Sequence, residues 1–246
     1  MTKPIRDAQV LILAGGLGTR LLSRVSFAPK SLAPIKEKVF LDFVISNLYR
    51  QGIRKIDLSL HHKADQFINW LTEAEKPDDL LIRYAVEPRP LGTAGAIAFC
   101  RQHFKYNEDL IVTNGDTYLQ SGAVDLFNSK NASNWIGLVE VENTSRFGSV
   151  VVNDEGFITQ FSEKNETQTP GTINAGMYFL KNELVQSFVI ENSSLERDIF
   201  IRLVKEKQLK GIDLKGLFID IGTPSDYDLF LELVENKKVI YTWSQI

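Results

Sequence analysis

Hydrophobic and polar positions in the first half of the chain follow two periods in turn. Short apolar runs bounded by glycine or polar residues predict buried strands, and apolar residues three or four positions apart predict amphipathic helices. The predicted strands are residues 9–14, 55–60, 80–86 and 109–113, and the predicted helices are residues 64–71, 94–104 and a segment that begins at Phe40 and stops before Gly52. This alternation is typical of βαβ units and predicts a mainly parallel sheet.

The pattern changes in the second half of the chain, where strands follow one another closely. Residues 135–141, 149–153 and 157–161 are predicted strands, and the turn at 153–156 joins the last two as a hairpin. A strand at 172–180, a helix at 194–206, a strand at 217–221 and a helix starting at Thr223 and Pro224 complete the prediction. We therefore expect one α/β domain over residues 1–246, with a Rossmann-like mixed, mainly parallel sheet flanked by helices.

Composition and charge limit which binding partners and which cellular compartment we expect. A chain of 246 residues with 43% hydrophobic content can bury one sizeable core, and its net charge of -3 provides no basic field for nucleic acid or an anionic membrane. We expect a cytoplasmic protein, because no segment resembles a signal peptide or is long enough to span a bilayer. The single cysteine, Cys100, with only three histidines cannot form a Cys/His zinc cage, and its helical position predicts core packing.

The first candidate for chemistry is a glycine loop after the first predicted strand. It reads Leu13-Ala14-Gly15-Gly16-Leu17-Gly18-Thr19-Arg20, and Lys30 follows ten residues later. Glycine N–H groups at the carboxyl end of a strand can approach phosphate oxygens, and Arg20 and Lys30 supply the positive charge that a triphosphate requires. A simple tight turn is the alternative for the glycines alone. A Walker loop is excluded because no Gly-Lys-Ser/Thr closes it, and a Rossmann fingerprint is disfavoured because Leu21 takes the place of the third glycine.

The second candidate is a pair of carboxylates at strand ends. Asp116 lies in Asn114-Gly115-Asp116 after one predicted strand, and Asp220 ends another. Ligands of open α/β sheets bind outside the carboxyl ends of the strands, so the two side chains can converge on a hard cation shared with phosphate oxygens. A lone aspartate at such a place is more often a turn or cap residue. Two of them beside a phosphate loop predict a Mg²⁺ site.

Six ordered motifs resemble the nucleotidyltransferases that activate sugar 1-phosphates. This group includes glucose-1-phosphate thymidylyltransferases, mannose-1-phosphate guanylyltransferases and, most similar in pattern, bacterial D-glycero-D-manno-heptose 1-phosphate guanylyltransferases. The matching stretches are residues 13–21 with Pro29-Lys30, Glu87 with residues 91–95, residues 114–116, Glu163-Lys164, residues 174–176 and residues 220–224. The resemblance implies a transfer of a nucleoside monophosphate to a sugar 1-phosphate, with release of pyrophosphate, for surface polysaccharide synthesis.

The same resemblance assigns roles to individual positions. Residues 8–120 would carry the nucleotide and residues 121–230 the sugar phosphate, across a shared cleft. The catalytic group would be Arg20, Lys30, Asp116, Lys164 and Asp220, with Mg²⁺ on Asp116 and Asp220. The nucleotide would contact Leu13, Ala14, Gly15, Gly16, Gly18, Thr19, Arg20, Lys30, Glu87, Gly92, Thr93, Asn114 and Gly115. The sugar phosphate would contact Glu163, Lys164, Asn174 and Gly176.

Glu87 bears on the choice of nucleobase. Guanine offers two adjacent donors, N1–H and N2–H₂, and an ionised carboxylate can accept both. Thymine and uracil instead present an acceptor, a donor and an acceptor, and related thymidylyltransferases place a glutamine at this position. Glu87 therefore favours GTP. Two alternatives stay open: a surface glutamate before Pro88, and a uridylyltransferase with an acidic residue nearby.

Several other interpretations stay open. The sugar is unresolved between heptose and mannose, although similarity around residues 146–148 and 220–227 favours heptose 1-phosphate. A nucleotide-sugar-binding regulatory subunit would need fewer charged site residues, and a nicotinamide-dependent oxidoreductase lacks its third glycine. Glu196 is interpreted as a first-turn acidic residue of its helix. The apolar tail at 239–243 could cover its own subunit or a neighbour, so a homo-oligomer is an open possibility.

Overall fold

The protein is represented by a computed structural model, which describes residues 4–16, 27–129, 133–147, 149–162 and 169–244. Its helices are α1 (Phe40–Arg50), α2 (Ala64–Glu73), α3 (Gly92–Phe104), α4 (Ala123–Asn128), α5 (Asn182–Ser187), α6 (Ile201–Lys205) and α7 (Pro224–Glu235). Its strands are β1 (Gln9–Leu13), β2 (Pro34–Ile35), β3 (Lys38–Val39), β4 (Lys55–Leu60), β5 (Leu81–Val86), β6 (Leu110–Asn114), β7 (Thr117–Leu119), β8 (Asn134–Val141), β9 (Ser149–Val152), β10 (Ile158–Ser162), β11 (Gly171–Leu180), β12 (Leu209–Asp213) and β13 (Phe218–Asp220). Within these residues, no helix is both long and apolar enough to cross a membrane.

The chain forms two compact units. The first unit comprises Met1–Pro90, Thr113–Gln120 and Leu217–Ile246, and the second unit comprises Leu91–Val112 and Ser121–Gly216. Strand β6 contributes its first three residues to the second unit and its last two to the first. The single domain expected from the sequence, with its division near residue 120, stays a prediction, since these units interleave along the chain.

Parallel strands form the sheet of the first unit. Strand β4 pairs in parallel with β1 on one side and with β5 on the other. The amphipathic helix α1 begins where the Asp42 carboxylate accepts a hydrogen bond from the Val39 N–H, at 2.8 Å. It buries ten of its residues, so its apolar face contributes much of this unit's core.

Aromatic side chains close the core of the first unit. Phe230 of α7 is fully buried and its ring lies 4.7 Å from Phe40 and 5.6 Å from Tyr118, centroid to centroid. The tail packs onto the same unit, where Tyr241 contacts Phe43 and Trp243 contacts Tyr49. The apolar tail thus covers its own subunit at these two rings.

A polar group in the first unit, the Asp79 cluster, comprises Asp79, Tyr49 and Arg54. The Tyr49 hydroxyl donates to one Asp79 oxygen at 2.9 Å, and Arg54 Nε donates to the other at 2.8 Å. These two bonds hold the pKa of the Asp79 carboxyl below its ordinary value. Arg54 also lies over the Tyr49 ring, 3.7 Å from its centroid, so the three side chains support one another.

Antiparallel pairing dominates the sheet of the second unit. Strand β8 pairs antiparallel with β11 and parallel with β12, while β9 pairs antiparallel with both β11 and β10. A π-helical turn, Leu195–Phe200, runs directly into α6. The strand-rich second half predicted from the sequence is confirmed, and so is the α/β class with a mixed sheet.

Candidate active site

The glycine loop begins where β1 ends in the first unit. The Ala14 N–H donates to the Ser59 carbonyl at 2.9 Å, which holds the chain beside the end of β4. A Cβ at Gly15 would lie 3.1 Å from Glu87 Oε1, whereas a Cβ at Gly16 would meet nothing within 4 Å. Gly15 therefore allows the backbone to pass close to the Glu87 carboxylate. Gly18, Thr19 and Arg20 lie outside the described residues, so their expected roles stay predictions.

Three charged side chains meet in the first unit. Lys30 Nζ donates to Asp116 Oδ2 at 2.7 Å and to Asp220 Oδ1 at 2.8 Å. The Lys30 side chain is only 9% exposed, whereas the Asp116 and Asp220 side chains are 36% and 21% exposed. An ammonium group thus lies between two carboxylates that remain accessible from solvent.

Short strands bring the two carboxylates together. Strand β7 follows Asp116 and pairs antiparallel with β13, so that Asp220 is opposite Thr117. The Ile221 N–H also donates to the Asp116 carbonyl at 3.1 Å. Gly115 lets the chain before Asp116 pass close to the end of β1, because a Cβ there would lie 3.1 Å from the Leu13 carbonyl oxygen. The sequence anticipated this convergence from the strand ends, but it missed β7, which joins them.

The donor set fits a cation shared with a phosphorylated substrate. The two carboxylate oxygens that flank Lys30 Nζ are at most 5.5 Å apart, the sum of the two hydrogen-bond distances. Mg²⁺ commonly uses one or two carboxylates and completes its shell with water and phosphate oxygens. Among the described residues, no group of three or more His, Cys, Asp or Glu side chains could hold a metal. Asp116 and Asp220 therefore suit a Mg²⁺ ion that arrives with phosphate.

Glu87 is buried at the end of β5, with 6% exposure. Ser59 donates its hydroxyl to Glu87 Oε1 at 2.8 Å, and the Glu87 N–H donates to the Leu60 carbonyl at 2.7 Å. His61 Nδ1 is 3.1 Å from the Glu87 carbonyl oxygen, which can only accept, so this nitrogen carries the proton. The alternative of a surface glutamate is wrong, because these bonds hold Glu87 in a buried position.

Gly92 and Thr93, both expected at the nucleotide, make contacts inside the second unit. Gly92 has φ +68°, and a Cβ there would lie 2.4 Å from the Ser193 carbonyl oxygen. Thr93 Oγ1 accepts from the Leu195 N–H at 2.7 Å. Gly92 thus leaves room for the Ser193 carbonyl, and Thr93 accepts from the first residue of the π-helical turn. Their proposed contact with nucleotide stays a prediction.

Asn174 and Gly176, expected at the sugar, lie on β11 in the second unit. Asn174 Oδ1 accepts from the Gly176 N–H at 2.9 Å, and Asn174 Nδ2 donates to the Tyr178 hydroxyl at 3.0 Å. The Tyr178 hydroxyl donates in turn to Glu196 Oε1 at 3.3 Å. Glu196 does lie in the first turn of its helix, as interpreted from the sequence. Its link to Asn174 was missed, since 22 positions separate the two residues in the chain.

Glu163 and Lys164, the remaining expected sugar-phosphate residues, lie outside the described residues. Their roles stay predictions from the resemblance. Cys100 is buried on α3, so its predicted core packing is confirmed.

Comparison with known proteins identifies the family of this fold and site. The family model described as nucleotidyl transferase matches residues 9–236. The chain is 33% identical to D-glycero-alpha-D-manno-heptose 1-phosphate guanylyltransferase of Campylobacter jejuni, over 91% of this chain and 98% of that protein. It is also 32% identical to mannose-1-phosphate guanyltransferase of Schizosaccharomyces pombe, over 89% of this chain but only 62% of that protein.

Solved structures agree with these relatives. HddC from Yersinia pseudotuberculosis matches with a TM-score of 0.82 and 34% identity, covering 92% of this chain and 98% of that chain. The same protein complexed with GMP-PN matches with a TM-score of 0.80 over the same shares. Because the family model matches residues 9–236 and the Campylobacter jejuni relative is matched over 98% of its length, this chain belongs to the nucleotidyl transferase family.

Proposed function

We propose that this protein is a Mg²⁺-dependent guanylyltransferase that acts on D-glycero-α-D-manno-heptose 1-phosphate. It would transfer GMP from GTP to the sugar phosphate and release pyrophosphate. The observation that carries the proposal is the meeting of Asp116, Asp220 and Lys30 in the first unit. The Campylobacter jejuni relative, matched over 98% of its length, supports heptose as the sugar.

The charged group in the first unit would bind the triphosphate. Asp116 and Asp220 would hold Mg²⁺, and Lys30 would turn from these carboxylates to the phosphate oxygens once the ion provides their positive partner. When bound, the ion would stabilise the negative charge that builds up around the α-phosphorus. Arg20, at the predicted loop, would neutralise the departing pyrophosphate.

The reaction then needs alignment and no covalent nucleophile. An oxygen of the sugar phosphate attacks the α-phosphorus of GTP, the new P–O bond forms, and the bond to the β-phosphate oxygen breaks with pyrophosphate as the leaving group. Lys164 would bind the sugar phosphate, and Glu163 and Asn174 would bind sugar hydroxyls. The attacking oxygen is already ionised at neutral pH, so a general base is not required.

Glu87 would select the base. Its carboxylate accepts hydrogen bonds only, and the Ser59 hydroxyl fixes its orientation within a buried setting. A fixed acceptor pair suits the N1–H and N2–H₂ donors of guanine and opposes the O4 or O2 acceptors of uracil and thymine. The solved complex of HddC with GMP-PN supports a guanine nucleotide.

A pyrophosphate-release assay tests the proposal. Purified protein is given GTP, UTP, dTTP, CTP or ATP with D-glycero-α-D-manno-heptose 1-phosphate or mannose 1-phosphate, each in Mg²⁺. We expect the highest kcat/KM for GTP with the heptose. A higher kcat/KM for UTP or dTTP would refute the guanine assignment, and a higher kcat/KM for mannose 1-phosphate would refute the sugar assignment.

Glu87→Gln, which keeps the size of the side chain, tests whether Glu87 selects the nucleobase. An amide in place of the carboxylate offers only one acceptor, so the GTP over UTP preference should fall by about tenfold or more, since one lost base contact is worth roughly 1–3 kcal/mol. An unchanged preference would show that another group selects the base.

A further inference from the structure

We infer that Glu196 is a positioning residue for the sugar: acting through Tyr178, it fixes the side-chain amide of Asn174 in one orientation, ready to bind a sugar hydroxyl. The inference rests on the proposed function, because it assigns the second unit's polar network to the sugar phosphate. It gives Glu196 a role beyond that of an acidic residue at a helix start.

The direction of each hydrogen bond from Asn174 through Tyr178 to Glu196 follows from which of these groups can donate and which can accept. The Glu196 carboxylate can only accept, and the Tyr178 hydroxyl has one hydrogen to give. At 3.3 Å from Glu196 Oε1, that hydrogen is directed to the carboxylate. The Tyr178 oxygen must therefore accept from Asn174, and the nitrogen of the Asn174 amide faces it at 3.0 Å.

The other end of the Asn174 amide is fixed by the backbone. Its Oδ1 accepts from the Gly176 N–H at 2.9 Å, and Gly176 adopts φ +75°, a conformation that favours glycine. A flip of the amide would place two acceptors together at one end and two donors at the other. The fixed amide directs one further N–H and one further oxygen lone pair away from these two partners. A sugar hydroxyl, which both donates and accepts, matches that pair.

Glu196 itself is held in place on both oxygens. Ser194 donates its hydroxyl to Oε2 at 3.0 Å, and Thr93 Oγ1 lies 3.5 Å from the same oxygen. Tyr178, between Glu196 and Asn174, is 1% exposed. Water competes little at a buried hydroxyl, so the direction of its hydrogen bond carries over to its neighbour.

Glu196→Gln tests the inference with little change of shape. The side-chain amide of a glutamine can donate to the Tyr178 oxygen. The tyrosine hydrogen is then no longer directed to residue 196, and Tyr178 no longer fixes the orientation of the Asn174 amide. We expect the KM for D-glycero-α-D-manno-heptose 1-phosphate to rise about 5- to 10-fold, the effect of one lost hydrogen bond of roughly 1 kcal/mol. The KM for GTP should change by less than about twofold.

Asp198→Asn is the matched control. Asp198 lies in the same first turn, its Oδ2 accepts from the Ser194 N–H at 2.7 Å, and its substitution removes the same charge. The control should leave the KM for the sugar phosphate within about twofold of wild type. An equal rise in both variants would assign the effect to charge or to the helix start and overturn the inference.

A double-mutant cycle tests the path through Tyr178. If Glu196 acts through this hydroxyl, Glu196→Gln should add little to the effect of Tyr178→Phe. Fully additive effects would contradict that path. Thermal unfolding of each variant identifies any that are unfolded at the assay temperature. If a Tyr178 variant is unfolded, Glu196→Gln alone still tests whether the KM for the sugar phosphate rises while the KM for GTP does not.

The outcomes separate this inference from the proposed function. A wild-type enzyme that is active, with an unchanged sugar-phosphate KM in Glu196→Gln, overturns the inference alone. A wild-type protein that transfers no nucleotide to either sugar phosphate overturns the proposed function, and the inference with it.

Discussion

Lys30 should compete with a metal ion for the two carboxylates in the absence of nucleotide. Its ammonium group donates to Asp116 and Asp220 at 2.7 and 2.8 Å, where the proposed cation would bind. Lys30→Met keeps much of the apolar side chain and removes the charge. The variant should therefore bind a divalent cation more tightly than wild type, although it should catalyse poorly.

The size of the effect follows from the exposure of the pairs. A fully exposed ion pair contributes about 0.2–1 kcal/mol, and each unit-charge pair at 4 Å gains about 4 kcal/mol at an effective dielectric constant of 20. Lys30 is 9% exposed but its partners are 36% and 21% exposed, so solvent screens much of the attraction. We take about 1–2 kcal/mol for the two pairs together, which predicts a 5- to 30-fold tighter Kd for the ion.

Mn²⁺ is the probe, because it accepts the same oxygen ligands and its free form gives an EPR signal. Titration without nucleotide should show the tighter binding in Lys30→Met, while the Kd for GTP in Mg²⁺ should become weaker. Lys36→Met is the control, since Lys36 is 49% exposed and pairs with Glu235 at 3.7 Å. Mn²⁺ affinity that is unchanged or weaker in Lys30→Met would refute a cation site on these carboxylates.

Three further substitutions test other parts of the account. Lys164→Ala should chiefly raise the KM for the sugar phosphate, and an effect on GTP binding alone would contradict its assignment. Arg83→Ala should lower the free energy of unfolding by about 3–5 kcal/mol in urea, because it removes the guanidinium that donates to both oxygens of the Asp57 carboxylate, which is only 1% exposed; a loss below about 1 kcal/mol would contradict this. Asp79→Asn should be less stable than wild type at pH 7, and the gap should close on acidification. Tyr49 and Arg54 lower the pKa of Asp79, so the contribution of the Asp79 carboxylate to the free energy of unfolding is complete above its unfolded-state pKa and disappears as pH falls through its folded-state pKa. A stability difference between wild type and Asp79→Asn that stays constant with pH would refute this linkage.

The elements that matter most to the site were predictable because they have strong periodicity or clear ends. Strand β4 has the predicted bounds, and β1 differs only by its last residue. The convergence of Asp116 and Asp220 followed from the rule that ligands gather at the carboxyl ends of strands. Strand β7 was missed, because three residues are too few to show a period.

Long-range contacts account for what the sequence did not predict. The buried Glu87 carboxylate accepts from the Ser59 hydroxyl, 28 positions earlier in the chain, so the local sequence before Pro88 does not distinguish a buried side chain from an exposed one. The hydrogen bond from Tyr178 to Glu196 joins a strand to a helical turn, which no local pattern indicates. Likewise, Gly92 was recognised as part of a sequence motif, but the sequence did not indicate that the lack of a Cβ at this position makes room for the Ser193 carbonyl.

Isotope transfer from GTP tests the central claim most directly. With D-glycero-α-D-manno-heptose 1-phosphate and Mg²⁺, label at the α-phosphorus of GTP should appear in a GDP-sugar, and label at the γ-phosphorus should appear in pyrophosphate. Asp220→Asn, with one of the two proposed metal-binding carboxylates neutralised, should lose most of this transfer while remaining folded. Release of γ-labelled orthophosphate without a GDP-sugar, or full transfer by Asp220→Asn, would contradict the account.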